Sequence, residues 1–342
     1  MKIWIDILTP KQLLFSEPII ERLGGEHSIL CTSRKYEEVL KLAKIRHFDL
    51  VFIGKHGGNE KEGKLEANID RMKKLLIKIE KFSPDLTISF CSPDAARISF
   101  GLGIRHIAFC DSPHANAVMR LTLPLIQKLL IPYIIPKKEF SEFGINEKYI
   151  IQYKAIDASV TIQRKINEKI ELPFKKNEKK NILIRLEEDQ ASYILKSNKI
   201  IPIIQKIVDD FKDENIVVLG RYTKQIENLQ KIMDSKVKII KMSFDGKYLL
   251  KNTDIFIGSG GTKTAESALM GIPTISYNAV PNIVENFLVK KYLVKRETNP
   301  SKISNYIKKI FERKNNTNQE IAKKIVKEME DPIEKLIKII KN

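Results

Sequence analysis

Short apolar runs alternate with amphipathic stretches along the whole chain. The runs at residues 2–8, 28–31, 50–53, 86–90 and 106–109 are too short for helices and read as buried strands. Between them, residues 65–82 set Ile69, Met72, Leu75, Leu76 and Ile79 on one stripe at helical spacing, which predicts an amphipathic helix. A second series of strand-like runs occupies 181–186, 216–219, 237–240, 254–257 and 274–277. Strands separated by helices in this way predict parallel, doubly wound sheets. Residues 165–180 are charged, contain Leu172-Pro173 and lack periodicity, so the junction between two domains is placed there. The expectation is an α/β protein of two doubly wound Rossmann-like domains, 1–164 and 165–342, facing each other across a cleft. The tail, 318–342, predicts a lysine-rich amphipathic helix that is expected to return to the first domain.

Composition narrows the class. The 342 residues are 43% hydrophobic, enough for two globular cores. No apolar run reaches the ~18 residues of a membrane span; the nearest, 121–136, is broken by Gln127, Lys128 and prolines. The opening strand-like run carries Asp6, which is wrong for a signal peptide. Cys31, Cys91 and Cys110 are odd in number and far apart, so neither a zinc site nor a disulfide framework is expected. A reducing, cytoplasmic location follows, with the inner membrane surface left open.

The net charge of +18 is mostly lysine spread over the predicted helices. Arginine is scarce and no basic run is interleaved with aromatics, which argues against nucleic acid. Either a solvated surface or an anionic partner accounts for it, the partner being a nucleotide-sugar phosphate or acidic lipid headgroups.

The most informative stretch is Gly258-Ser259-Gly260-Gly261-Thr262-Lys263, which follows an apolar strand and opens a helix ended by Gly271 before Pro273. Glycines let a backbone approach an anion, and a helix start offers unpaired N–H groups. A phosphate seat is therefore expected, although such turns also serve plain packing. Glu266, four residues after Thr262, is placed on the same face to accept bonds from a ribose diol. The Walker loop is excluded because Lys263-Thr264 follow the glycines too closely. The dinucleotide fingerprint is excluded because the acid lies inside the same helix, not roughly 20 residues on.

Full-length motifs add a resemblance. The carriers are Ile5-Asp6-Ile7-Leu8-Thr9-Pro10, Gly54-Lys55-His56-Gly57, Ser92-Pro93-Asp94, the segment Phe109-Cys110-Asp111-Ser112-Pro113-His114-Ala115, Arg185, Ala191-Ser192 and the glycine motif. Together they resemble the family called domain of unknown function 354, within the GT-B superfamily. Only the glycine motif is shared widely among GT-B enzymes. In the peptidoglycan N-acetylglucosaminyl transferase and in UDP-N-acetylglucosamine 2-epimerase, a glutamate five residues before Gly-x-Pro binds the ribose of UDP. Glu266 has that spacing to Gly271-Ile272-Pro273. The resemblance implies that Ser259, Gly260 and Gly261 meet the pyrophosphate and that Phe244 borders the base. Two features depart from it: Lys11-Gln12 stands where relatives carry a histidine-containing turn, and Arg185-Leu186-Glu187-Glu188-Asp189 replaces the transferase's glycine-rich turn.

For the chemistry, Asp111 and His114 share a proline-containing loop after a strand and suit a base with its partner; a helix cap explains them equally well. Asp94 is a further candidate acid or a cap. Arg185, ending a strand, and Lys263, beside the glycines, are candidate phosphate ligands, and His56 a candidate substrate contact. His27, His47 and His106 read as structural. Residues 117–130 read as a helix-like segment that contacts either a membrane surface or the core. The leading expectation is a metal-independent glycosyltransferase with a nucleotide-sugar donor, UDP-linked, and a glycan or lipid-linked acceptor, requiring no cofactor. A 2-epimerase-like nucleotide-sugar isomerase and a non-catalytic nucleotide-sugar-binding protein remain as alternatives.

Overall fold

Parallel strands carry both halves of the chain in the computed structural model, which describes all residues except 59, 167–171, 175–177, 188–199, 221–222, 234–236, 242–245, 278–281, 314–316 and 342. One unit comprises Met1–Thr161 with Glu330–Asn342, the other Ile162–Met329.

The first unit is built on β1 (Lys2–Asp6), β2 (Ser28–Lys35), β3 (Val51–Lys55), β4 (Leu86–Ser89), β5 (Arg105–Phe109), β6 (Lys128–Pro132) and β7 (Ile150–Tyr153). They pair in parallel in the order β3-β2-β1-β4-β5-β6-β7. Asp6, at the end of β1, lies opposite Thr32 on one side and Ser89 on the other. The second unit holds β8 (Asn181–Arg185), β9 (Asn215–Gly220), β10 (Lys238–Lys241), β11 (Ile255–Gly258), β12 (Thr274–Ser276) and β13 (Val294–Arg296), in the order β10-β9-β8-β11-β12-β13. Each sheet reverses its winding direction beside its first strand, between β1 and β4 and between β8 and β11. Doubly wound sheets bind ligands at the carboxyl ends of the strands flanking such a reversal.

Both faces of these sheets are buried, which is why the strands read as apolar runs. In the first unit Trp4, Leu75, Ile79, Ala95 and Ile98 pack together. In the second, Ile182, Ile184, Val218, Ile255 and Ile257 form part of one face cluster, and Leu183, Val217, Leu219 and Phe256 part of the other.

Several elements differ from the sequence reading. The helix expected from residue 65 runs Lys61–Phe82 and buries Ala67, Arg71, Leu75 and Ile79, while Ile69 and Leu76 are exposed. The buried stripe is rotated because Arg71 points inward to meet carboxylates. In the 117–130 segment, the helix Asn116–Thr122 stops before Pro124 and Leu129 belongs to β6, paired with β5. The strands β6, β7 and β13 give no clear signal in the sequence because each is short and flanked by charge. The tail is two helices, Thr317–Lys327 and Pro332–Lys341. Pro332 cannot continue a helix from before it but suits a first turn, where Asp331 accepts a bond from the Ile333 N–H at 2.8 Å. Three contacts fasten this last helix to the first unit. Glu330 accepts from the Lys154 N–H at 2.6 Å, Asp331 pairs with Arg22 at 2.6 Å, and Arg105 donates to the Ile339 carbonyl at 2.9 Å.

Candidate functional site

Ser259, Gly260 and Gly261 turn the chain from the end of β11 into the helix Thr262–Leu269. Gly260 has φ of +98°, and a Cβ there would stand 2.9 Å from a Glu285 carboxylate oxygen, so the position excludes a side chain twice over. The Gly260 N–H donates to Thr264 Oγ1 at 3.2 Å, and Asn282 donates its amide to the Gly260 carbonyl at 2.9 Å. These bonds fix the corner from within its own chain. The helix start itself has Gly261 as its N-cap and no capping side-chain bond. Its first amides have no intrahelical partner and form the positive end of the dipole. The corner is thus rigid at Gly260 and offers donors one residue further on.

Glu266, expected on the helix face beside the turn to meet a ribose diol, is turned inward. It is 2% exposed and ion-paired with Lys263 one turn earlier. Lys263 extends over it, its Nζ lying beside the Cα of Gly246. Lys263 thus donates to Glu266 Oε2 inside the corner.

Arg185 ends β8, next to β11 across the winding reversal, with Ile184 opposite Ile257. It is buried, and Nη1 donates to the Gly220 carbonyl at 3.3 Å. Behind it the Tyr277 hydroxyl donates to Glu187 at 2.5 Å and reaches the Arg185 carbonyl at 3.2 Å. Burial, then the Glu187 charge, pushes the Tyr277 phenol well above its usual range, so it stays a neutral donor. Arg185 and the glycine corner are thereby brought to the same sheet end. Phe244 and Ala191-Ser192 lie outside the described residues.

In the first unit, Asp111 follows β5 and pairs with Lys11, which lies in the first turn of the helix Pro10–Leu23. Lys11 also pairs with Asp157, at 2.7 Å, and the Tyr153 hydroxyl donates to Asp157. Burial would raise Asp111, but the Lys11 ammonium and the Ser112 hydroxyl hold it below the usual carboxylate range. Burial and the neighbouring Asp111 charge lift Asp157, against the pull of Lys11. The His114 imidazole is lowered by burial, with Asp111 opposing. Asp111 and His114 are therefore electrostatic neighbours, with Lys11 as the direct partner of the acid.

Asp94 is not placed with this group. It is buried and bonded to Arg71 and Asn68, and Arg71 also meets Asp6 at 2.6 Å. Ser92, rather than Asp94, caps the following helix through the Ala95 N–H at 3.3 Å. His56 stacks on Tyr36, ring centroids 5.2 Å apart, and its Nδ1 accepts from the Gly58 N–H at 3.2 Å. It follows β3, at the edge of the sheet away from β5. Sequence reasoning passed over Arg71, Asp157, Tyr153, Asn282 and Glu285. Arg71 was detectable as a charge between apolar residues at i−4 and i+4. Asp157 was hidden because the strand before it went unrecognised.

Among the described residues, no helix is long and apolar enough to cross a membrane, and no group of three or more His, Cys, Asp or Glu is arranged to hold a metal ion.

The family model described as Protein of unknown function (DUF354) matches residues 1–342. The chain belongs to this family. An uncharacterised protein of Methanocaldococcus jannaschii is 29% identical over 314 residues, covering 90% of this chain and 91% of the relative. Among solved structures, the UDP-GlcNAc 2-epimerase of Neisseria meningitidis bound to UDP-GlcNAc is similar, with a TM-score of 0.74, 17% identity and 100% of both chains covered. The UDP-GlcNAc 2-epimerase of Methanocaldococcus jannaschii gives 0.68 at 14% identity, covering 100% of this chain and 99% of its own. A Streptomyces glycosyltransferase gives 0.60 at 12% identity, with both chains covered in full. At these identities the likeness is one of fold: two Rossmann-like units of the GT-B type.

Proposed function

We propose that this DUF354 protein is a nucleotide-sugar enzyme, a metal-independent glycosyltransferase that takes its sugar from a UDP-linked donor. One observation carries the reading. The glycine corner, with an uncapped helix start, stands where the second sheet reverses its winding, next to Arg185. Ligand phosphates favour such a site because amides and dipole are already aimed at them.

On donor binding the internal Lys263–Glu266 pair opens. Lys263 turns to the diphosphate at the helix start, and Glu266 takes the two hydroxyls of the ribose. Gly260, bonded within its own chain, shapes the turn, while Ser259, Gly261 and Arg185 complete the diphosphate seat and stabilise the charge that develops on the leaving group. Asp111, with His114 beside it, accepts the proton of the acceptor hydroxyl. The acceptor is a glycan or a lipid-linked saccharide.

A 2-epimerase is the second reading. Asp157 favours it by adding a carboxylate beside Asp111, where that chemistry needs several acids. The Neisseria and Methanocaldococcus folds are consistent with either reading.

A thermal-shift series with UDP, UDP-sugars and other nucleoside diphosphates tests the function. UDP-sugars should raise the Tm of the wild type and fail to do so in Glu266→Ala. No stabilisation by any nucleotide sugar sinks the reading, and an unchanged response in Glu266→Ala removes the ribose assignment. Proton NMR of the donor alone then separates the reactions, since C2 epimer formed without acceptor marks the epimerase.

A further inference from the structure

Lys11 lies between carboxylates that arrive from two different strands. Asp111 follows β5 and Asp157 follows β7, and both pair with Nζ, Asp157 at 2.7 Å. Their exposure is graded: 23% for the Asp111 side chain, 18% for Lys11 and 3% for Asp157. Beneath Asp157 the fully buried Tyr153 hydroxyl donates to its other oxygen, Oδ1. Phe90 covers one flank, its ring centroid 5.6 Å from Nζ. A single ammonium thus serves an outer and an inner carboxylate.

This arrangement removes an obstacle to proton transfer. A carboxylate that is the sole partner of a half-buried ammonium cannot take up a proton without stranding that charge, which is costly. With Asp157 in place, Lys11 keeps a charged partner whichever way Asp111 ionises.

We propose that Lys11 and Asp157 are positioning residues for Asp111: the ammonium is shared while Asp111 is charged and passes to Asp157 when Asp111 takes a proton. The identity of the proton donor rests on the transferase reading. In that step the proton of the acceptor hydroxyl moves to an Asp111 oxygen. The electron pair of the O–H bond forms the new bond to the anomeric carbon, and the pair of the broken carbon–oxygen bond leaves with the diphosphate. The three side chains go from a net charge of about −1 to about 0 and return when Asp111 releases its proton to water. Neutralising Asp111 also removes a charge that opposes ionisation of Asp157, so the inner carboxylate becomes the better partner at the moment it is needed. Lys11, Ser112 and His114 act on Asp111, and the Asp111 charge in turn bears on Asp157, Tyr153 and Cys91.

Carboxyl-carbon NMR of aspartate-labelled full-length protein tests this without any substrate. In Asp157→Asn, Lys11 belongs to Asp111 alone and the Asp111 midpoint should fall; in Lys11→Met it should rise, by about one pH unit or more in each case. A side chain with only a packing role would not give shifts of opposite sign. An Asp111 midpoint unmoved by Asp157→Asn, or shifts in the same direction, overturns the proposal. Should Asp157→Asn fail to fold, Lys11→Met decides by itself: both Asp111 and Asp157 midpoints must rise, and either one staying put overturns it. Opposite shifts together with no nucleotide-sugar binding would retain the shared ammonium and discard the transferase.

Discussion

Lys263 and Glu266 form an ion pair one turn apart on the helix that opens from the glycine corner, and the carboxylate is almost wholly buried. The structure shows the lysine held by the internal acid; the proposed function requires that it exchange this partner for the donor diphosphate.

Removing the ammonium should expose that balance. Lys263→Ala leaves a buried carboxylate without its cation and should destabilise the free protein by about 3 kcal/mol. Urea unfolding measures the loss. The same variant should bind a UDP-sugar more weakly by roughly tenfold, the worth of one hydrogen bond to a charged group. Unchanged stability would show that the pair is not held in solution.

Gly260→Ala should injure the corner by a different route. The φ of +98° is strained for any other residue, and the new methyl would meet the Glu285 carboxylate. A loss of about 1–3 kcal/mol is expected in urea unfolding, with the nucleotide-sugar thermal shift abolished. Gly261→Ala, where a Cβ has open space, is the control and should unfold nearly as the wild type does.

In the first unit, Arg71 holds Asp6 and Asp94 together in the interior. Burial works against the Asp6 charge, yet Arg71 and the Ser92 and Thr32 hydroxyls keep its carboxyl below the usual range. Arg71→Met should cost about 3–5 kcal/mol because two buried acids lose their cation. The double variant Asp6→Asn with Arg71→Met should recover part of that loss. If the double variant unfolds as easily as the single one, charge is not the cause.

His106 gives a pH dependence with a definite sign. It is fully buried between β4 and β6, Nε2 sits 2.9 Å from Ser89 Oγ, and burial pushes its imidazole down to about 3 from 6.5. The folded state therefore holds its proton less tightly than the unfolded chain. The stability this contributes is complete above about pH 6.5 and is lost as the pH falls toward about 3. Between about pH 6.5 and pH 5 the wild type should lose about 2 kcal/mol more than His106→Gln. Equal slopes in urea unfolding at the two pH values would mean that the imidazole is already charged in the fold.

Much of the architecture was legible in the chain. Apolar runs that alternate with amphipathic stretches led to parallel doubly wound sheets, since strands buried on both faces must be apolar throughout. The glycine corner was legible for a related reason: a backbone at positive φ against a neighbouring carboxylate admits no Cβ, so Gly260 records its own geometry. His106 was read as structural, and it is buried at 0% exposure. Less was legible where a residue's meaning depends on distant partners. Lys11 looked like a departure from a pattern, and Asp94 like an acid for catalysis or capping. The fold gives the first to Asp111 and Asp157 and the second to Arg71.

The sequence by itself determined what depends on local periodicity and on backbone permission: the winding of the sheets, the turn at Gly258–Gly261, and the helix it opens. Tertiary structure alone decided which charges neutralise one another. Glu266 with Lys263 is near in sequence, but burial made that pair. Lys11 with Asp157, and Arg71 with Asp6, are joined where a helix packs against the ends of strands that are distant in sequence. Coulomb energy depends on distance in space and on the surrounding dielectric, and neither is written in the spacing of residues along the chain.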